Sequence, residues 1–356
     1  MTGVKRLLIR ADANTGIGAG HVMRCLALAQ AWRAKGGEVV LALSAPNKAL
    51  EPRLRSEGLE VEVLFVEPGS ESDAVATAAL ALTRQACWTV LDGYCFDESY
   101  QKVVFASSPR VLILADYAHA MRFYAAILLN QNLHANFNEY TRVAPGVKLL
   151  LGNRFTLLRR EFWPWREKRQ RHSGSARRLL VTLGGGDADN ITAKVLRGLV
   201  GLADLGLEVV AVVGANNPHW EMLVRLQATS SVPIRLERNL SDMTPLMSKS
   251  DLAICGGGAT CWEMAFFGIP MITVILASNQ QLIAESLDAI GVTISLGWHD
   301  QLESIQVETA VRTLASDAAR MQRMSDQGRQ LIDGWGVERV CGEMMDFELT
   351  HERCRL

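Results

Sequence analysis

The segment Arg10-Ala11-Asp12-Ala13-Asn14-Thr15-Gly16-Ile17-Gly18-Ala19-Gly20-His21 sets three alternate glycines and an imidazole between a strand-like apolar run and a helix-like one. Glycines let the backbone approach a ligand closely, and the free amides at a helix start favour an anion. A nicotinamide-dinucleotide fingerprint needs a glycine where His21 stands and an acid at the end of the second strand, which ends near Ser44. A Walker loop needs Gly-Lys-Ser/Thr, which is absent. The loop therefore reads as a phosphate or sugar contact through Gly18 and Gly20, with His21 as a general base. A helix N-terminus disfavours positive charge, which suits a ring that must accept a proton; a bound pyrophosphate acts in the opposite sense. The structural alternative is that His21 caps the helix. Asp12 could orient the ring, grip a sugar hydroxyl, or serve as a turn residue.

A second glycine loop, Gly184-Gly185-Gly186-Asp187-Ala188-Asp189-Asn190, again joins strand to helix. Asp189 or Asn190 would serve as an N-cap, but three consecutive glycines exceed what capping needs, so Gly185 and Gly186 are expected to approach a ligand. A third, Cys255-Gly256-Gly257-Gly258-Ala259-Thr260-Cys261-Trp262-Glu263, repeats the pattern. Here Gly257, Gly258, Ala259 and Thr260 would hold a phosphate, and Glu263 could take both hydroxyls of a ribose or simply complement the helix dipole. Asn279, in Ser278-Asn279-Gln280-Gln281, opens a later helix facing the same strand ends. Weaker candidates are Asp92-Gly93-Tyr94 and Asp116-Tyr117-Ala118-His119. The remaining histidines form no metal spacing, so no metal and no cofactor are expected.

The elements that must position these loops alternate almost from end to end. Strand-like runs are Arg6–Arg10, Glu38–Leu43, Val61–Val66, Trp88–Leu91, Val111–Ala115 and Ile127–Leu129, then Leu179–Leu183, Glu208–Val213, Leu252–Cys255 and Met271–Val274. Helix-like stretches lie between them, among them Val22–Lys35, Asp73–Gln85 and Ile191–Leu202. Continuous apolar strands, each followed by a helix, predict parallel sheets covered on both faces. The rhythm breaks between Asn153 and Arg178. The expected organisation is an N-terminal catalytic α/β domain at 1–152, a connector at 153–178 and a C-terminal nucleotide-binding α/β domain at 179–356. Both domains would be doubly wound and Rossmann-like, facing a central cleft where the strand ends bind ligand.

The length of 356 residues suits two cores. The net charge of −1 argues against a nucleic-acid partner. No apolar stretch reaches membrane-spanning length, so no membrane insertion is expected. Seven cysteines without paired spacing predict reduced thiols and a cytoplasmic protein.

Several motifs together resemble the UDP-2,4-diacetamido-2,4,6-trideoxy-β-L-altropyranose hydrolase family of pseudaminic acid biosynthesis. They are Asp12 with Ile17-Gly18-Ala19-Gly20-His21 and Arg24-Cys25-Leu26-Ala27-Leu28-Ala29; Asp92-Gly93-Tyr94; Leu128-Leu129-Asn130-Gln131-Asn132; Leu157-Leu158-Arg159-Arg160-Glu161-Phe162; Gly185-Gly186-x-Asp; and Asp333-Gly334-Trp335-Gly336-Val337-Glu338-Arg339-Val340. Ala115-Asp116-Tyr117 departs from the two adjacent acids of many relatives. The resemblance implies a GT-B-like fold, similar to the N-acetylglucosaminyltransferase that makes lipid II. It implies UDP against the C-terminal domain with Glu263 on the ribose, and substrate contacts from Tyr94, Asn130, Arg159 and Asn279. The expected activity is hydrolysis of a UDP-linked diacetamido-trideoxy sugar to free sugar and UDP, with His21 activating water. The alternative is a GT-B glycosyltransferase with a UDP-sugar donor.

Overall fold

The computed structural model describes residues 5–13, 18–108, 110–169, 176–185, 187–214 and 217–353. It divides into two compact units, 1–163 with 334–356 and 164–333. Both are parallel-sheet α/β domains of Rossmann-like type.

The first unit runs β1 (Arg6–Ala11), α1 (Gly20–Ala34), β2 (Glu38–Leu43), α2 (Glu51–Ser56), β3 (Glu60–Val63), α3 (Glu71–Thr83), β4 (Trp88–Asp92), α4 (Glu98–Ser107), β5 (Val111–Leu114), β6 (Ile127–Asn130), α5 (Phe137–Val143) and β7 (Lys148–Leu151). Its sheet has the order β3-β2-β1-β4-β5-β6-β7. The central strands carry Leu7, Leu8, Ile9, Val90 and Leu91, all with no exposed surface, because helices cover both faces. Order reverses between β1 and β4, so their carboxyl ends open the crevice where such sheets take ligands.

The second unit runs β8 (Arg178–Thr182), α6 (Ile191–Leu199), β9 (Glu208–Val213), α7 (Trp220–Thr229), β10 (Ile234–Arg238), α8 (Thr244–Met247), β11 (Leu252–Gly256), α9 (Thr260–Phe267), β12 (Met271–Ile275), α10 (Ser278–Ala289), β13 (Thr293–Trp298), α11 (Ser304–Ala315) and α12 (Ala318–Leu331). Its order is β10-β9-β8-β11-β12-β13, with the reversal between β8 and β11. The second and third glycine loops follow those two strands. No helix among the described residues is long and apolar enough to cross a membrane.

Two expectations need correction. The C-terminal domain does not run to the end of the chain: α13 (Gly336–Arg353) belongs with the first unit. Val337, Val340, Cys341 and Met344 recur at helical spacing and join the cluster holding Leu7 and Trp88. Gly336 is required there, since a Cβ would lie 2.2 Å from the Thr156 carbonyl oxygen. The presumed connector is likewise divided, its residues through Trp163 packing with the first unit and those from Pro164 with the second. Strands β7, β10 and β13 were also not foreseen. All are sheet edges, where partial exposure interrupts the apolar run.

Candidate active site

His21 is the second residue of α1, which starts without a side-chain cap. The helix start brings the ring against the end of β4, where Asp92 is fully buried. His21 Nδ1 lies 2.6 Å from Asp92 Oδ1. Arg24 Nη2 stands further from the same nitrogen, at 3.2 Å, and the closer carboxylate only accepts, so Nδ1 carries the proton and Nε2 keeps its lone pair in the neutral ring. Arg24, one turn further along α1, donates through Nε and Nη2 to both Asp92 oxygens at 2.6 Å and through Nη1 to Asp116 at 2.6 Å. The Tyr94 hydroxyl donates to the other Asp116 oxygen at 2.5 Å, and its ring meets His21 edge-on at 4.9 Å.

Burial alone would raise the Asp92 pKa, but Arg24 and His21 outweigh it and hold the carboxyl well below its usual range. At Asp116 burial again opposes and Arg24 again prevails, with Tyr94 assisting, so this carboxyl is also depressed. Burial works against the Arg24 cation, yet Asp116 and Asp92 push its pKa well above the ordinary value. Two ionised carboxylates thus share one permanent cation, and Asp92 stands fixed behind the imidazole. This is the arrangement of a general base: the carboxylate sets the tautomer and stabilises the imidazolium once a proton is taken.

Asp12 does not orient His21. It pairs with Arg10 Nη1 at 2.7 Å and accepts the Ser44 amide at 2.7 Å. Arg10, wholly buried, also forks onto Asp73 at 2.9 and 2.8 Å. Asp12 is therefore part of a structural brace at the end of β1. Asn130 also departs from its expected role. Its amide donates to the Asp116 carbonyl and the Tyr140 hydroxyl, and its oxygen accepts the Asn132 amide. That side chain fixes the β5–β6 connection. Arg159 donates to Glu161 at 2.8 Å and lies over the Phe162 ring. Gly18, at φ +71°, adopts a conformation that disfavours side chains, while a Cβ on Gly20 would meet open space. Gly16 and Ile17 lie outside the described residues.

In the second unit, Gly184, Gly185, Gly214, Thr260 and Glu263 border a cavity of about 180 Å³. A Cβ on Gly214 would sit 2.0 Å from the Gly185 carbonyl oxygen, so these two backbones must touch. Gly186 lies outside the described residues. Asn190 stands at the N-cap position of α6, as expected, but its side chain caps nothing; Asp187 accepts the Ile191 and Thr192 amides instead, at 2.7 and 3.0 Å. The α6 terminus is thereby claimed by the chain's own carboxylate. At α9, by contrast, the N-cap is Ala259 and no side chain caps the amides. Glu263, in the first turn, is nine-tenths buried at the cavity edge. Gly257 has a packing reason that ligand approach does not supply, since a Cβ would come within 3.1 Å of Ala284 and the Gln280 carbonyl of α10. Gly258 would keep ordinary contact with Gln280. Asn279 is exposed in the first turn of α10, directly after β12.

Asp92 and Asp116 were only weak candidates in the sequence, and Arg24 was noted only as part of a motif. The available signal was Arg24 three residues after His21, on the same helix face, and an acid ending an otherwise apolar strand.

Residues 178–333 match the glycosyltransferase family 28 C-terminal domain. The chain is 24% identical over 350 residues to the spore coat polysaccharide biosynthesis protein SpsG of Bacillus subtilis, covering 95% of this chain and 97% of that one. It is 21% identical over 262 residues to the pseudaminic acid cytidylyltransferase and UDP-2,4-diacetamido-2,4,6-trideoxy-beta-L-altropyranose hydrolase of Helicobacter pylori, covering 72% of this chain but 45% of that one. MurG of Acinetobacter baumannii superposes with a TM-score of 0.68 at 16% identity, covering 96% and 99% of the two chains. The fold and the matched domain define the class: a GT-B enzyme of the nucleotide-sugar type. Its second unit is the part that matches the glycosyltransferase family 28 C-terminal domain.

Proposed function

We propose that the protein cleaves the bond between the anomeric carbon and the diphosphate of a UDP-sugar, using an O–H nucleophile activated by His21. The observation that carries this reading is the 2.6 Å contact between His21 Nδ1 and Asp92, which leaves Nε2 to accept a proton. The nucleophile's oxygen bonds to the anomeric carbon and its proton passes to Nε2. The carbon–oxygen bond to the diphosphate breaks, and its electron pair leaves with UDP. Within the second unit, the uncapped start of α9, with Ala259 and Thr260, offers amide donors suited to a diphosphate. Glu263 at the cavity edge suits the ribose hydroxyls.

The nucleophile in the leading reading is the hydroxyl of an acceptor, which makes the protein a glycosyltransferase. The match to a glycosyltransferase C-terminal domain and the likeness to MurG favour it. Hydrolysis, with water in that place, is the second reading. It is favoured by the motifs shared with the diacetamido-trideoxy-sugar hydrolases and by the Helicobacter relative. The same base serves both, because each reaction needs one O–H deprotonated.

The test is nucleotide release from a panel of UDP-sugars, followed by phosphorus NMR with and without acceptor saccharides. Release only with acceptor establishes transfer; release in buffer alone establishes hydrolysis. Turnover by a folded His21→Asn variant at the wild-type rate would dismiss both.

A further inference from the structure

The connections that follow β5 and β6 hold two features that the base does not use. The first is aromatic. Tyr117 is 41% exposed and stacks on Tyr94 with centroids 5.3 Å apart and planes 28° apart. Since Tyr94 meets His21 edge-on, Tyr117 extends an aromatic surface outward from the base. The surface is braced rather than loose: the His119 ring packs against Tyr117 at 5.8 Å and Phe123 at 5.2 Å.

The second feature is a set of buried acceptors without donors, grouped around Asp116. Asn132 donates to Asp116 Oδ1 at 2.8 Å, which assigns its nitrogen and leaves Oδ1 buried and unpartnered among the described residues. His134 Nε2 lies 3.1 Å from the Asp116 carbonyl oxygen, which only accepts. The proton is therefore on Nε2, and the buried Nδ1 has no partner among the described residues. His119 Nδ1 faces the Tyr117 carbonyl at 3.2 Å, which fixes that ring beside Tyr117. The partners of Asn132 and His134 can only accept, so in the neutral His134 ring each of the two orphan atoms is itself an acceptor. Buried polar atoms left unsatisfied are costly, and these call for a ligand that brings donors.

We propose that Tyr117, Asn132 and His134 form a specificity subsite for a pyranose ring, with the ring's apolar face on Tyr117, which His119 holds in place, and its hydroxyl or amide N–H groups directed to the two acceptors. The proposal rests on the reading of His21 as the base of a sugar-processing site. The ring could belong to the nucleotide sugar or to an acceptor saccharide, and the experiment separates these sources.

In one arm, calorimetry compares UDP with UDP-N-acetylglucosamine, UDP-N-acetylgalactosamine and a UDP-diacetamido-trideoxyhexose. In the other, saturation-transfer NMR follows methyl glycosides of the same sugars in the presence of UDP. Tyr117→Ala is expected to weaken the ring-dependent signal roughly three- to tenfold, and His134→Phe about five- to tenfold. Affinity for UDP alone and the melting temperature should hold, and Tyr117→Phe should behave as wild type. Loss in the first arm assigns the donor sugar, and loss in the second assigns an acceptor. The subsite is disproved if neither arm detects ring binding, or if both variants leave it within twofold of wild type. Failure of His21→Asn to affect turnover would strike the functional reading separately.

Discussion

Ala11, the last residue of β1, is the register partner of Asp92, the last residue of β4. This parallel pairing places the glycine loop and the buried carboxylate at one strand reversal, and α1 then returns His21 to meet Asp92. The base is therefore assembled by two segments 71 residues apart in sequence.

His21→Asn should reduce nucleotide release by on the order of 10²- to 10⁴-fold, the usual worth of a positioned general base. Asp92→Asn should also lower kcat by a comparable order, because an amide no longer enforces the Nδ1–H tautomer. Steady-state kinetics on variants with intact circular dichroism would check both. A wild-type kcat in Asp92→Asn would remove Asp92 from the mechanism.

Arg24 is the single cation between two depressed carboxylates. Arg24→Met should destabilise the fold by about 3–5 kcal/mol, since it leaves buried charges uncompensated. Urea unfolding measures this directly. A loss below about 1 kcal/mol, the size of an exposed pair, would contradict the buried network.

The pH dependence follows from the same carboxylates. Their folded pKa values lie below the ordinary 3.8. Their stabilisation is thus fully present above that value and disappears as pH falls through the depressed folded values. Stability should fall as the pH drops below about 4, with a slope of up to about 1.4 kcal/mol per pH unit for each carboxyl. Asp116→Asn should show a shallower fall in this window in acid-titrated unfolding curves.

Glu263 and Asp187 both sit at helix starts in the second unit but should behave differently. Glu263→Ala is expected to weaken UDP binding about tenfold, or roughly 1.4 kcal/mol. Asp187→Ala should cost about 1 kcal/mol of stability through the lost cap and leave UDP affinity near wild type. Calorimetric titration with UDP, paired with thermal melts, distinguishes the two.

The parallel α/β character and the glycine loops were legible because they are local. Apolar runs declare buried strands, and glycines between a strand and a helix declare a tight turn. The glycines themselves were less uniform than their pattern suggests. Gly257 answers to the close packing of α10, and Gly336 to the backbone at Thr156. Neither neighbour is near in sequence, so neither reason was visible there.

From its sequence alone the chain determined two Rossmann-like domains and placed His21 at the start of the first helix after a glycine loop. Only the tertiary structure decided which carboxylate stands behind that ring, choosing Asp92 over the nearer Asp12, and returned α13 to the first unit. The reason is that periodicity and turn chemistry act between neighbours along the chain. Strand order and the pairing of buried charges are settled by which distant segments can share one core and satisfy one another.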